Sequence, residues 1–232
     1  MTERLTLTWP SPEPFVDRDG RPLRLLAVSD ETDASLESDR TRQVMGEVDL
    51  VVGCGDLEPP YLAFLADAFK VPLAYVRGNH DVGRAWSVAE RAMLPEPLED
   101  GHLHREDGLP LLGFSGSPIY APRHGAAAEQ QVSDFAMWRR VLGAWPRALG
   151  HGPLLVVSHA APRGLNDAPD VAHRGFPAFR WLLDRLAPPL WLHGHTSLVR
   201  RGVDGRCRRH RSTLLVNVTG AVLVELQQPA TV

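Results

Sequence analysis

Three features of this 232-residue sequence predict an α/β fold with a largely parallel sheet. Short apolar runs alternate with stretches whose apolar residues recur at a helical period, as in βαβ units. Several of the runs are apolar at every position, which suits strands buried on both faces. Many of them stop in a polar cluster, and ligands in open α/β sheets gather at the carboxyl ends of strands.

The first strand is expected over residues 23–28, ending in Ser29-Asp30. The second covers 48–53 and ends in Cys54-Gly55-Asp56, and the third covers 72–76 and ends in Arg77-Gly78-Asn79-His80-Asp81. Between them, 35–45 and 61–69 read as helices. In the second of these, Tyr61, Leu62, Leu65, Ala66 and Phe69 share one face. Residues 95–108 are the most loop-like stretch. Strands follow at 109–114 and 154–157, with a helix over 132–149 between them. A helix over 176–186 places Phe179, Leu182, Leu183 and Leu186 on its apolar face. Short strands close the chain at 190–192, 198–203, 214–218 and 221–226. Trp138, Trp145, Trp181 and Trp191 stand among these apolar positions and are expected to pack. No repeat, low-complexity tract or linker divides the sequence, so a single domain over residues 1–232 is expected, with its core at 23–226.

Apolar residues make up 44% of the chain, which is ordinary for a globular protein and enough for a sizeable core. The net charge of −3 supplies no basic field for a polyanion, so nucleic acid is not a favoured partner. Arg200, Arg201, Arg206, Arg208, Arg209 and Arg211 do cluster, and a solvated hairpin is the favoured reading of them. Two cysteines, Cys54 and Cys207, form no disulfide framework and suit a reducing compartment. Residues 1–14 lack the apolar centre of a signal peptide, and no run is long enough to span a bilayer. A cytoplasmic location is expected.

The chemistry concentrates at the strand ends. Asp30, Asp56, Asn79 with His80, His159, and His193-Gly194-His195 each follow a predicted strand. One such residue means little, since a lone histidine is more often structural. Five clusters in equivalent places are hard to explain by packing. Mixed Asp, Asn and His donors suit divalent ions such as Mn, Fe or Zn. Gly55, Gly78 and Gly194 would let the backbone turn sharply beside an ion.

Gly55-Asp56, Gly78-Asn79-His80-Asp81, His159 and Gly194-His195-Thr196 resemble, in order, the motifs of the calcineurin-like metallophosphoesterases. The resemblance covers residues 23–226 and implies a four-layer αββα sandwich with a centre for one or two divalent metal ions. It implies that Asp30 and Asp56 bind metal, Asp56 as a bridge, and that Asn79, His159 and His195 complete the second ion. It also implies that His80 is the catalytic histidine and that Asp81 orients its ring. The physical logic agrees: ions activate water and neutralise phosphate, while a histidine serves the leaving group.

Two positions depart from the family pattern. Thr32 and Ser197 stand where histidines of the first metal are expected, so both losses fall on one ion. That site is then rebuilt, weak or empty. A polar segment with Asp167, Asp170 and His173 is a candidate for rebuilding it, with His173 as the ligand; turn residues and a helix cap are the alternative. Asp33 is either a ligand or the start of a helix, with the helix start favoured. Arg77, Arg123 and Arg174 are candidate phosphate clamps, since guanidinium forks match that geometry, with a surface charge the favoured reading of any one of them. The expected function is hydrolysis of phosphomonoesters or phosphodiesters. The alternatives are a nuclease of the same fold or a catalytically impaired metal-binding regulatory protein.

Overall fold

The computed structural model describes residues 2–120, 130–198 and 205–229. Two sheets carry the architecture. The first contains β1 (Glu3–Thr8), β2 (Leu23–Ser29), β3 (Leu50–Gly53), β4 (Leu73–Tyr75) and β13 (Gly220–Gln227), in the order β1-β13-β2-β3-β4. The second contains β5 (Leu103–Glu106), β6 (Leu109–Phe114), β9 (Leu155–Ser158), β10 (Leu190–His193), β11 (Cys207–His210) and β12 (Thr213–Asn217), in the order β11-β12-β10-β9-β6-β5. In the first sheet β2, β3 and β4 run parallel. In the second, β6, β9, β10 and β12 do so. A parallel pair, β7 (Ser117–Pro118) and β8 (Gln131–Val132), stands apart from both sheets.

The pleat sorts the side chains into layers, because successive residues of a strand point to opposite faces. Leu25, Ala27, Leu50 and Val52 of the first sheet pack against Leu111, Leu155, Val157, Leu190 and Leu192 of the second, forming the central core. Their neighbours point outwards. Leu26, Val28 and Val51 meet Leu62 and Leu65 of α2 (Pro59–Phe69). Leu112, Val156 and Trp191 meet Met137 and Val141 of α4 (Asp134–Ala148) and Phe179, Leu182 and Leu183 of α5 (Pro177–Leu186). The result is helix, sheet, sheet, helix. This is the expected four-layer αββα sandwich, and the inner strands are mostly apolar because both their faces are covered.

The differences from expectation lie at edges and ends. β1 forms where the sequence predicts no element, and β5 lies inside the stretch expected to be a loop. Both are edge strands with partly exposed side chains, so they carry little apolar signal. The helix expected over 35–45 is divided into a 3-10 turn, Ala34–Glu37, and α1 (Asp39–Met45). Ser38 separates them in an extended conformation. The Asp33 carboxylate accepts from the Ser35 N–H, so Asp33 begins the turn. A short helix, α3 (Val88–Arg91), forms where the sequence predicts no element. β11 and β12 form the antiparallel hairpin that carries the arginine cluster, with Arg208, Arg209 and Arg211 exposed. Arg206 instead pairs with Glu3 and donates to the carbonyls of Asn217 and Thr219. Arg200, Arg201 and most of the strand expected over 198–203 lie outside the described residues.

Stability should follow this layering. Leu111→Ala, in the inter-sheet core, is expected to cost about 2–5 kcal/mol in denaturant unfolding. Leu142→Ala, on the solvent face of α4 and 49% exposed, should cost less than about 1 kcal/mol. Equal losses at the two positions would contradict the packing described.

Candidate metal centre

The carboxyl ends of the parallel strands of both sheets meet at one place. Asp30 follows β2, Asp56 lies beyond β3, and Asn79 and His80 lie beyond β4. From the second sheet, His159 follows β9 and His195 lies two residues beyond β10. The sheets are tied together here, since the His195 N–H donates to Asp30 Oδ2 at 2.9 Å, while within the second sheet the Gly194 N–H donates to the His159 carbonyl. Asp30, Asp56 and His195 have φ of 60°, 58° and 66°, in the left-handed region that side chains other than glycine rarely occupy. Three such residues at one place mark strain held by the surrounding fold.

Four side-chain atoms converge. His159 Nε2 lies 3.0 Å from Asn79 Oδ1, 3.1 Å from His195 Nδ1 and 3.3 Å from Asp56 Oδ2. Backbone carbonyls fix both rings. His159 Nδ1 lies 2.8 Å from the Cys54 oxygen, and His195 Nε2 lies 2.7 Å from the Ala172 oxygen. A carbonyl only accepts, so each of these nitrogens carries a hydrogen, and in the neutral ring each opposite nitrogen presents its lone pair inwards. An amide oxygen, a carboxylate oxygen and two imidazole lone pairs therefore face one another, an arrangement that a shared cation satisfies. The spacing suits one as well, since tetrahedral ligands bound at ~2.0–2.1 Å lie about 3.3–3.4 Å apart. Among the described residues, Asp56, His159 and His195 form a group whose ligand atoms all lie within 4.8 Å of one another.

The electrostatics are those of a strongly coupled site. Burial alone would lower the His159 pKa, but the charges of Asp56 and Asp30 and the hydrogen bond to Asp56 raise it to about 10. Burial works against Asp56 too, yet His159 and the His80 N–H hold it down at about 2. His195 falls to about 3, through burial first and then the neighbouring His159 charge. Asp81 is raised to about 7 by burial and by the Asp56 charge.

Asp30, His80, Asp81 and His173 border this group. Asp30 lies beside it, with Oδ2 engaged by the His195 N–H. His80 is exposed at the mouth, its N–H donating to Asp56 Oδ1 at 2.7 Å. Asp81 is buried, and its Oδ2 accepts the N–H of Gly78 at 2.6 Å and of Asp56 at 3.0 Å. These contacts brace two loops, and orientation of the His80 ring, the role expected of Asp81, is not among the described contacts. His173 lies at the rim, its ring centroid 5.2 Å from that of His195 and its Nδ1 2.7 Å from Asp170 Oδ1. Asp167 accepts the Gly175 N–H. Arg174 is exposed next to His173, Thr32 is exposed, and Ser197 is half-buried. Arg123 lies outside the described residues.

Sequence reasoning missed several contributors. Tyr120 Oη accepts from Asn79 Nδ2 at 3.1 Å. Asn217 donates to the Thr196 carbonyl at 2.6 Å, behind the His195 loop. The Cys54 and Ala172 carbonyls belong to the backbone and leave no residue signature. Of the three glycines, Gly55 takes the positive φ that a sharp turn requires, 92°. Gly78 and Gly194 have a different reason. A Cβ at Gly78 would lie 2.0 Å from Asp56 Oδ1, and one at Gly194 would lie 2.3 Å from Asp30 Oδ2. The carboxylates occupy that space.

Two outcomes follow from this geometry. Binding of a divalent ion should expel the His159 proton, because its pKa of about 10 leaves it charged at neutral pH. Calorimetry in buffers of different protonation enthalpy should therefore show about one proton released per ion, with affinity rising as pH increases. The contribution of the proton-bridged pair to ion-free stability is present below pH 6.5 and lost as pH rises through about 10. Binding heats that do not depend on the buffer would refute this. In addition, Gly78→Ala should displace the Asp56 carboxylate and weaken Mn binding while the protein stays folded by circular dichroism.

Comparison with known proteins gives the same fold. A crystal structure superposes with a TM-score of 0.63 at 14% identity, covering 88% of this chain and 95% of the other. The crystal structure of TT1561 of Thermus thermophilus superposes with a TM-score of 0.57 at 15% identity, covering 86% of this chain and 90% of the other. No curated protein sequence matches. The sequence profile of the calcineurin-like phosphoesterases matches residues 33–197, most of the chain and all but Asp30 of the convergent strand ends. The chain belongs to the calcineurin-like phosphoesterase family.

Proposed function

We propose that this protein hydrolyses phosphate esters, with Asp56, Asn79, His159 and His195 holding a divalent ion of the Mn, Fe or Zn kind. The gathering of Asn79 Oδ1, His195 Nδ1 and Asp56 Oδ2 within 3.3 Å of His159 Nε2 carries this reading. Such an ion would supply an activated water for in-line attack and neutralise charge on the phosphoryl group. The chain's own residues do the rest. His80, exposed at the mouth with its backbone fixed to Asp56, gives its ring proton to the departing ester oxygen, so the alcohol leaves neutral. Asp81 keeps the Gly78 and Asp56 backbones in register, which places both His80 and the metal carboxylate. Arg174 is exposed and free of hydrogen bonds and ion pairs among the described residues, so its guanidinium can meet phosphoryl oxygens. Arg123 is a second candidate clamp.

The first ion of a two-metal centre has weaker support. Asp30 and Asp56 supply carboxylates there, while Thr32 and Ser197 offer only hydroxyls. His173 stands near enough to His195 to be the replacement ligand, with Asp170 holding its Nδ1. The single ligand group among the described residues favours a second reading, in which one ion binds and catalysis is impaired. Among the described residues no helix is long and apolar enough to cross a membrane. A cytoplasmic location and a single-domain organisation are part of the same proposal.

Mn titration into the ion-free protein, together with turnover of mono- and diester panels, tests these readings. The expected result is one tight site, with any second site weaker and abolished by His173→Ala. Two equally tight sites that survive His173→Ala would overturn the assignment of the first ion. His80→Ala should lower turnover of a diester with a poor leaving group about 10²–10⁴-fold while Mn still binds. Full Mn occupancy with no turnover across the panels would favour the impaired reading.

A further inference from the structure

Asn79 is the one proposed ligand whose side chain has chemically unlike ends. Its oxygen can face a cation, but its NH₂ group cannot. The two ends are nearly the same size, so shape does not choose between them. Hydrogen bonding must. Asn79 is 1% exposed, its Oδ1 lies 3.0 Å from His159 Nε2, and its Nδ2 donates to Tyr120 Oη at 3.1 Å. Turned over, the amide would set its NH₂ against His159 Nε2 and remove a ligand from the group.

Tyr120 is well placed to prevent this. It follows β7, which pairs with β8, and its own N–H donates to the Gln131 side-chain oxygen at 3.1 Å. The phenol is therefore anchored to a small structure separate from the strand ends that carry the other ligands. A neutral hydroxyl can accept from the amide without adding negative charge to the site. We propose that Tyr120 is a positioning residue: by accepting from Asn79 Nδ2 it fixes the amide with Oδ1 facing the ion, and so sets metal affinity. This rests on the metal-site reading above and adds a residue outside the ligand set.

The test uses the full chain with Mn²⁺ as the probe, its affinity measured by competition with a chelator. Tyr120→Phe keeps the ring and removes the acceptor, and should weaken Mn²⁺ binding about 10–100-fold with an unchanged melting temperature. The same substitution is then made in an Asn79→Asp background. A carboxylate presents two equivalent oxygens and needs no orienting partner, so there the loss should shrink to about twofold or less. Unchanged affinity in Tyr120→Phe, with wild type binding normally, would overturn the role of Tyr120 and leave the metal site standing. An equal loss in both backgrounds would show a packing effect and also overturn it. Wild type that binds no Mn²⁺ would overturn the metal-site reading and this inference together.

Discussion

The buried imidazole of His159 is the point on which the rest of the site depends. It sits between the two sheets with no exposure, its Nδ1 held by the carbonyl of Cys54 from the first sheet, although the residue itself follows β9 of the second. That one hydrogen bond crosses the sandwich and decides which nitrogen presents a lone pair. Asn79, Asp56 and His195 all lie within 3.3 Å of that nitrogen. Two apolar sheets could slide over one another at little cost, because hydrophobic packing is not directional. A buried polar group that must be satisfied fixes their relative position.

The local strain has the same origin. Asp30, Asp56 and His195 leave their strands in the left-handed conformation, which costs of order 1–3 kcal/mol each. Buried hydrogen bonds hold two of these turns in place. Asp81 accepts from the Asp56 N–H, and Asp30 accepts from the His195 N–H. The glycines act as spacers, since a single Cβ at Gly78 or Gly194 would collide with a carboxylate oxygen. The group is thus preorganised by covalent geometry and buried polar contacts, while His80 and Arg174 remain exposed.

The central strands were legible because both their faces are buried, which favours mainly apolar runs such as Leu23–Ser29 and Leu109–Phe114. β1, β5 and β11 escaped or were read only by composition, since an edge strand needs partners more than it needs a pattern. The division of the first helix at Ser38 was not visible either, because a 3-10 turn and an α-helix share much of their periodicity. Asp81 shows a limit of another kind. Its neighbour in sequence is His80, yet its carboxylate braces Gly78 and Asp56. The sequence does not announce these two backbone partners, because consecutive residues in a turn point in different directions.

The sequence by itself determined the α/β class and the position of each polar cluster after a strand. It did so because apolar periodicity and strand-end chemistry are local properties, written in neighbouring residues. Tertiary structure alone decided which of these clusters meet, which nitrogen of each histidine faces inwards, and that Tyr120 and the carbonyls of Cys54 and Ala172 belong to the site. His159 and Cys54 are 105 residues apart, and Asp30 and His195 are 165 apart. Contacts over such separations depend on how two sheets stack and twist together, and a backbone carbonyl that orients a ring has no residue type by which a sequence could announce it.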